Sequence, residues 1–514
     1  VVDTLDAFSL NDAASIDTDG DGKPDGWLLS CDSQCQSESG LDLDSDDDND
    51  GVPDVSDTFP KDATESIDTD GDGMGDNSDA FPTDADEKFD TDGDGTGNNE
   101  DDDDDADGVL DGDDAFPLDE NETVDSDSDG TGDNSDIDVN GNGLIEIDSL
   151  QDLAEITNNL DGASLYSINT GCPVDACIGF ELITDLDFDT NQDGSIDEND
   201  AYWNEGLGWM PIGEGFFEAI FEGNGHIIKN LFINRPNEFG AGLFRAMSNA
   251  SVRHLGLSGL NMSVTGGMFT GSLVGYVDWG VHVLSVYNTG PVAGTDNVGG
   301  LIGYMSDENT LTASYNMGSV TSSGYRAGGL VGYADYDNII IATFSSGLVT
   351  GDNKVGGLIG YSDGNTITNS YWATDASGQL ISDESSEENS YVGVPLAAFL
   401  CATQANTNST NSDCLSVDGS AENLTLPVIL FKHWDNAELN GLWNFGNEQQ
   451  LPGLVMNSVV HRDFDFDGIV DELDNDNDND GTHDDVDAFP LDPSEWTDSD
   501  SDGTGDNSDA FPND

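Results

Sequence analysis

A twelve-residue acidic template, D-x-D-x-D-G-x-x-D-x-x-D, recurs at both ends of this chain and limits what those ends can fold into. It runs through Asp46, Asp48, Asp50, Asp54 and Asp57, then through Asp68, Asp70, Asp72, Asp76 and Asp79. It returns at Asp103, Asp105, Asp107, Asp111 and Asp114, and at Asp125, Asp127, Asp129, Asp133 and Asp136. Far along the chain it occupies Asp476, Asp478, Asp480, Asp484 and Asp487, then Asp498, Asp500, Asp502, Asp506 and Asp509. Looser copies are Asp17, Asp19, Asp21 and Asp25; Asp90, Asp92, Asp94, Asn98 and Asp101; Asp138, Asn140, Asn142 and Glu146; and Asp463, Asp465, Asp467, Asp471 and Asp474. From Asp46 to Asp138 the start-to-start steps are 22, 22, 13, 22 and 13, and from Asp463 to Asp498 they are 13 and 22. A disordered acidic run has no reason to keep two step lengths, whereas repetition at fixed intervals is a structural signature.

The template carries hard-cation chemistry. Calcium takes ~6–8 oxygen ligands at about 2.3–2.6 Å. Acids at positions 1, 3 and 5 converge only if the chain turns sharply, and the glycine at position 6 permits that turn. Positions 9 and 12 are expected to close the shell. One more such loop stands inside the middle region, at Asp189, Asn191, Asp193, Asp197 and Asp200, with Ile196 at position 8. Eleven loops imply about ten or more calcium ions. Zinc is not expected, since it prefers Cys and His.

Charge narrows the partners. The chain holds 107 Asp+Glu against 11 Lys+Arg, a net charge of -96. That excludes nucleic acid, which needs clustered cations, and direct insertion into an anionic membrane. The acid is concentrated: residues 1–148 carry 51 Asp+Glu and 3 Lys, and residues 463–514 carry 20 with no Lys or Arg.

Each 22-residue step also bears a tag just past position 12: Thr58-Phe59-Pro60, Ala80-Phe81-Pro82, Ala115-Phe116-Pro117, Ala488-Phe489-Pro490 and Ala510-Phe511-Pro512. The Phe is expected to plug each repeat beneath its ion cluster, with Pro stopping further pairing. This 13/22 alternation resembles the thrombospondin type 3 repeat in its bacterial form, across 1–148 and 463–514. The resemblance implies calcium-stabilised, irregular arms. The paucity of cysteines departs from the animal repeats and throws more weight onto the ion.

The middle has a different period. Leu273-Val274-Gly275-Tyr276 recurs as Leu301-Ile302-Gly303-Tyr304, Leu330-Val331-Gly332-Tyr333 and Leu358-Ile359-Gly360-Tyr361, at steps of 28, 29 and 28. Tyr287, Tyr315, Phe344 and Tyr371 move in phase, as do Val292, Val320 and Val349. Three short apolar segments per coil, separated by Gly/Asn/Asp/Ser turns, predict a β-solenoid whose equivalent side chains stack in ladders. These motifs resemble the bacterial GLUG motif of secreted and surface proteins, over about 140–456. The resemblance implies a right-handed parallel β-solenoid of about 28 residues per coil. Trp443-Asn444-Phe445-Gly446 with Gln450-Leu451-Pro452 looks like the family's usual last coil. The expected organisation is an acidic repeat arm over 1–148, a solenoid with a short capping helix and a C-terminal cap over 149–456, and a second arm over 457–514. The helix is expected from Ser149 to Leu160, capped by Ser149, with Leu150, Leu153, Ile156 or Thr157, and Leu160 on one side.

Six cysteines in near-neighbour sets, Cys31/Cys35, Cys172/Cys177 and Cys401/Cys414, suggest three disulfides. There is no signal peptide or transmembrane run, so Val1 is expected to start a processed chain or a fragment. No H-E-x-x-H links the six histidines, and there is no P-loop. One G-x-S-x-G, Gly360 to Gly364, falls in a repeated coil, where sister coils put Val277, Met305 and Ala334 at the serine's place; a nucleophile elbow needs a strand-to-helix turn. No enzyme is expected. The sequence reads as a secreted or bacterial cell-surface protein, calcium-dependent, structural and adhesive. Its partner would be a further copy of itself, head to tail in a filament, or another cell-surface molecule. The alternative is a carbohydrate-binding or polysaccharide-acting solenoid on calcium-stiffened stalks, with Trp203, Trp209, Trp279, Trp372, Trp434 and Trp443 available to stack on sugars.

Overall fold

Parallel pairing of short β segments, one coil on the next, organises the middle of the chain. A computed structural model describes residues 6–173, 176–380, 390–400, 404–405, 407–408, 429–437, 439–446, 450–465, 469–471, 474–500 and 504–513. The chain divides into two compact units, Val1–Asp136 and Ile137–Asp514. The Cys401/Cys414 pair, Asp467 and Asp502 lie outside the described residues.

In the second unit the structure is mainly β, a parallel β-solenoid of about 5 turns over residues 220–372. Three sheets run along it. In one, Phe244–Met247, Val274–Val277, Ile302–Met305, Val331–Ala334 and Ile359–Ser362 lie side by side. Their register is the register of the repeat: Val274 pairs Ile302, Ile302 pairs Val331, and Val331 pairs Ile359. In a second, Val292 pairs Val320 and Val320 pairs Val349. In the third, Tyr287 pairs Tyr315, Tyr315 pairs Phe344, and Phe344 pairs Tyr371.

The packing follows from that register. Leu273, Leu301, Leu330 and Leu358 form one fully buried column, and each buried Leu stabilises the fold by roughly 1.5–3 kcal/mol. The Tyr287 and Tyr315 rings stack at 5.0 Å between centroids, and Tyr315 on Phe344 at 4.9 Å. On the outer side of another sheet, Tyr276 lies parallel to Tyr304 at 5.3 Å. Turn asparagines add a polar ladder inside the coils. Asn309 donates through Nδ2 to Asn338 Oδ1, and Asn338 to Asn365 Oδ1, both at 3.0 Å. Each Oδ1 also accepts a backbone N–H from the coil before it, so the amides of this ladder are satisfied.

The N-terminal end is closed by Leu144–Ile147, which pairs in parallel with Gly179–Leu182, and by the helix Leu150–Glu155. Ser149 caps that helix by accepting from the Asp152 N–H, and Leu150, Leu153 and Ile156 face the core. At the other end Ser390–Val394 adds in parallel to Thr366–Ala373. The segment expected to form a last coil does not continue the stack. Trp443–Asn444, Gly453–Met456 and Val459–His461 form an antiparallel three-stranded sheet. Its Trp443 lies with Trp434, Phe431 and Phe399 in a buried aromatic cluster against Tyr315 and Phe344. This sheet packs along the flank of the coils, where the Tyr315 hydroxyl donates to the His461 carbonyl at 3.0 Å.

Candidate metal centres

The acidic loops are built by local hydrogen bonds in which each carboxylate holds its own backbone. The position 1 aspartate spans the first turn: Asp68 Oδ1 accepts from the Gly71 N–H and Oδ2 from the Gly73 N–H at 3.1 Å. Asp17, Asp90 and Asp125 repeat this arrangement. At positions 3 and 5 one oxygen accepts the N–H two residues on, as in Asp105 with Asp107 and Asp107 with Val109. Position 6 glycines carry left-handed backbone, with φ 97° at Gly51, 96° at Gly73 and 100° at Gly108. Position 4 is left-handed too, and there several residues are not glycine: Asn49, Ala106 and Ser128 have φ of 59°, 58° and 67°. The sequence reading assigned the turn to position 6 alone. Two left-handed residues in three make the chain curl tightly enough to face its acids inward.

The result is convergence. In the sets Asp17/Asp19/Asp21, Asp46/Asp48/Asp50, Asp68/Asp70/Asp72, Asp90/Asp92/Asp94 and Asp103/Asp105/Asp107, one carboxylate oxygen from each residue lies within 4.8 Å of the others. Position 12 turns toward the same point. Asp57, Asp114 and Asp487 each accept the N–H of the tag phenylalanine with Oδ1 at 2.7 Å, leaving Oδ2 buried without a donor. The same orphaned state is found in Asp46 Oδ1 and Asp48 Oδ2; in Asp103 Oδ1, Asp105 Oδ2 and Asp107 Oδ2; and in Asp476 Oδ1, Asp478 Oδ2 and Asp480 Oδ2. Buried carboxylate oxygens without donors cost free energy unless a cation meets them. An oxygen-only, anionic donor set suits a hard divalent ion such as calcium. Burial, together with the carboxylates of Asp107, Asp114 and Asp103, raises the Asp105 pKa. Asp48 and Asp70 are raised in the same way, and Asp478 to about 6.

Position 9 behaves differently from the expectation. Asp25, Asp54, Asp76, Asn98, Asp111, Asp133, Asp471, Asp484 and Asp506 each accept the N–H of position 2, seven residues back. In Asp25, Asp76, Asp133 and Asp506 the second oxygen accepts the Thr or Ser hydroxyl of position 2 as well. These four side chains latch the loop shut; the sequence reading had placed them in the ion shell. Hydroxyl and N–H both sit at position 2, so one carboxylate is fully satisfied there.

The tag phenylalanines are only half-buried, and Phe511 is exposed. The deeply buried group of each 22-residue step is a glutamate instead. Glu65, Glu87, Glu122 and Glu495 stand three residues before loops 68, 90, 125 and 498 and are 5–7% exposed. Glu65 accepts the Asn77 N–H and the Ser78 hydroxyl, and the Asn77 amide closes back onto the Thr64 carbonyl at 2.7 Å. The glutamate lies against a glycine at position 8: a Cβ on Gly75 would stand 2.0 Å from Glu65 Oε2, and Gly97, Gly132 and Gly505 are equally crowded. The signal was present as a fixed glutamate and a second fixed glycine, but neither belongs to the twelve-residue template.

Loops 138, 189 and 463 each bond to the solenoid. Asp138 is fully buried and accepts from the Asn142 and Gly143 N–H groups. Asn140 and Asn142 reach Glu181 of the next coil, which the sequence reading missed because it lies some 40 residues on. Glu146, Glu181 and Glu222 occupy successive rungs of one parallel ladder, which Arg253 follows. In loop 189 the acids are engaged locally: Asp189 accepts from Asp193 and Gly194, Asp200 from Thr190 and Asp197, and Asn191 donates to Asp193. Asp463 is bonded to Ser258 of the solenoid. Asp79, Asp101, Asp474 and Asp509 each hold the N–H two residues ahead. Asp127 and Asp129 follow the position 3 and 5 pattern. Asp136, Asp465, Asp498 and Asp500 are placed within their loops and partnered, and Asp197 accepts from Asn199.

Among the described residues two disulfides are present, Cys31–Cys35 and Cys172–Cys177. Of the tryptophans, Trp209, Trp372, Trp434 and Trp443 are core, Trp203 stacks on Phe232, and Trp279 is half-exposed. No helix among the described residues is long and apolar enough to cross a membrane.

Fold and site together define a parallel β-solenoid protein with repeated, Asp-rich loops that could hold metal ions. No protein-family model matches the chain. Over 184 residues, 35% of its length, it is 30% identical to halomucin of Haloquadratum walsbyi. Over 107 residues, 19% of its length, it is 35% identical to a protein of Evansella cellulosilytica described as "Putative Gly-rich membrane protein". The chain spans 2% of the first relative and 11% of the second. Among solved structures, one from Bacteroides ovatus described as a "putative immunoglobulin A1 protease" is similar at TM-score 0.36 and 20% identity, covering 48% of this chain and 73% of that one. At that score it bears on neither fold nor function.

Proposed function

We propose that this chain is a calcium-dependent structural and adhesive protein of the bacterial exterior, with thrombospondin type 3-like arms and a GLUG-type solenoid. The observation that carries the reading is the repeated set of buried, donorless carboxylate oxygens at positions 1, 3 and 12 of loops 46, 103 and 476, joined by position 5 in loops 103 and 476. Oxygen ligands of this kind, in loops rather than in a cleft, hold an ion for stiffness and leave no coordination site shaped for a substrate. Extracellular modules bind calcium at roughly 10⁻⁴–10⁻³ M, a concentration met outside cells. Two disulfides fit an oxidising compartment, and one partial relative is named as a membrane protein. The solenoid's outer tyrosines are engaged with neighbours: Tyr276 stacks on Tyr304, Tyr304 meets Tyr333 edge-on, and the Arg326 guanidinium lies over the Tyr333 ring. Ser362 of the G-x-S-x-G is buried and bonded to Asn365.

In this reading the arms carry self-association, through cations shared between carboxylates of two chains, or contact with another surface molecule. Electron microscopy of the full chain in millimolar calcium and in chelator tests it. Ordered assemblies or stiff arms only with calcium are expected. Identical particles in both, with no calcium bound by dialysis, would overturn it.

A further inference from the structure

Loop 138 departs from the grammar of the other acidic loops. Of the eleven, it alone has asparagine at both position 3 and position 5, Asn140 and Asn142. In the arm loops the two oxygens of these side chains have separate tasks. Asp105 Oδ1 accepts the Asp107 N–H and Asp107 Oδ1 the Val109 N–H, while Oδ2 of each is buried without a donor. Asp478 and Asp480 do the same. In loop 138 the first task is kept: Asn140 Oδ1 accepts the Asn142 N–H at 3.1 Å, and Asn142 Oδ1 accepts the Leu144 N–H at 2.8 Å. That leaves Nδ2 of each in the place of the donorless oxygen. An amide N–H2 has hydrogens to donate and no lone pair for a cation. Turning either amide over would set N–H donors against each other, so the backbone fixes which atom faces inward.

What the two amides face is an anion. Both Nδ2 atoms donate to one oxygen, Glu181 Oε1, from Asn142 at 3.0 Å. Asn224 Nδ2 donates to the other, Oε2, at 2.8 Å. Glu181 is 3% exposed and stands on the strand Gly179–Leu182, paired with Glu146 of Leu144–Ile147. Asn140 Nδ2 also reaches Glu146 Oε1 at 3.2 Å, and Asp138 accepts the Asn142 and Gly143 N–H groups. Three side-chain N–H bonds on one carboxylate are charge-assisted and offset its burial without a cation. The donor set of loop 138 therefore does not fit calcium, which takes ~6–8 oxygens.

We propose that loop 138 is the ion-free member of the series: Glu181 Oε1 stands where the arm loops hold a cation, and the two asparagines reverse the polarity of the shell. Loop 138 is then joined to the next coil by a contact that calcium does not control, so this end of the solenoid stays closed when the ion is withdrawn from the arms. The inference rests on the reading that the arm loops take divalent ions.

The full chain is compared with Glu181→Gln and with the double variant Asn140→Asp/Asn142→Asp. Calcium ions are counted by native mass spectrometry at saturating calcium, and melting is followed by the β circular-dichroism signal in calcium and in chelator. Glu181→Gln is expected to hold the parent's number of ions and to melt lower, by the same shift in both conditions. One ion fewer, a shift seen only in calcium, or no shift at all overturns the inference. The double variant turns two carboxylates onto Glu181. It is expected to melt below the parent in chelator, to recover in calcium, and to hold one ion more. A parent-like melt in chelator or the parent's ion count overturns the inference equally, and this variant decides if Glu181→Gln does not fold. A parent that binds no calcium overturns the reading of the arms, and the Glu181 contact is then judged by its shift in chelator alone.

Discussion

Removing calcium should unfold the first unit while the solenoid stays intact, and the size of the effect follows from the loop geometry. Within each of the five loops Asp17, Asp46, Asp68, Asp90 and Asp103, three carboxylate oxygens lie within 4.8 Å. Two unit charges at 4.8 Å repel by about 0.9 kcal/mol at the dielectric of water and by about 3.5 kcal/mol at an effective dielectric of ~20. Three pairs per loop therefore cost roughly 3–10 kcal/mol, and five loops at the lower figure about 13 kcal/mol. A domain is stable by only ~5–15 kcal/mol. Three lysines do not offset this, so without divalent ions the unit should expand. As an unfolded chain, 136 residues would have a radius of gyration of about 38 Å. The assay is small-angle scattering of the full chain in millimolar calcium and in excess chelator, paired with limited proteolysis. Chelation should widen the distance distribution and open cleavage sites within residues 6–136, with residues 220–372 still protected. Superimposable scattering curves and unchanged cleavage would refute the reasoning, because the repulsion would then be met by something other than an ion.

Other outcomes follow from single residues. Leu330→Asp places a charge in the fully buried leucine column and should cost about 3–5 kcal/mol, read as a lower denaturation midpoint; a parent-like melt would show that the column does not carry coil stacking. Gly75→Ala should drive Glu65 out of its slot, costing about 2–4 kcal/mol in the first unit through two lost charge-assisted hydrogen bonds. The check is calcium-dependent melting, where Ser78→Ala should give a smaller loss. Asp185 combines burial, which pushes its pKa up, with His226, the Ile227 N–H and Lys229, which outweigh it and bring it to about 2. A depressed carboxyl stabilises the fold above its unfolded pKa near 3.8 and loses that contribution as pH falls toward 2. The melting-temperature advantage of the parent over Asp185→Asn should therefore be constant above pH ~5 and shrink between pH ~4 and ~2; an advantage that grew on acidification would show the sign to be wrong.

What the sequence determined here is whatever is short-range or periodic. Loop sets such as Asp103, Asp105, Asp107 and Asp114 were legible because all their ligands lie within twelve residues, and local Asx-type turns aim them. The coil register was legible for a related reason: parallel stacking puts residue 302 on 274 and 331 on 302, so the period is itself the contact map. The tertiary structure decided the rest. Position 9 became a latch because its carboxylate accepts the position 2 N–H and, in four loops, the position 2 hydroxyl as well. Glu65, Glu87 and their equivalents were invisible as buried groups because an acid in an acidic arm looks solvated until its glycine partner is seen against it. Glu181 joined loop 138 only through coil stacking, and Lys23 and Lys61 reach acids 21 and 36 residues away. Trp443 became core rather than a sugar platform because the antiparallel strands lay it against the Tyr315 and Phe344 rungs of the aromatic ladder. The contacts of Glu181, Lys23, Lys61 and Trp443 fall outside a twelve-residue window and off the 28-residue period, because they join residues whose spacing in the chain is set by packing and not by the repeat.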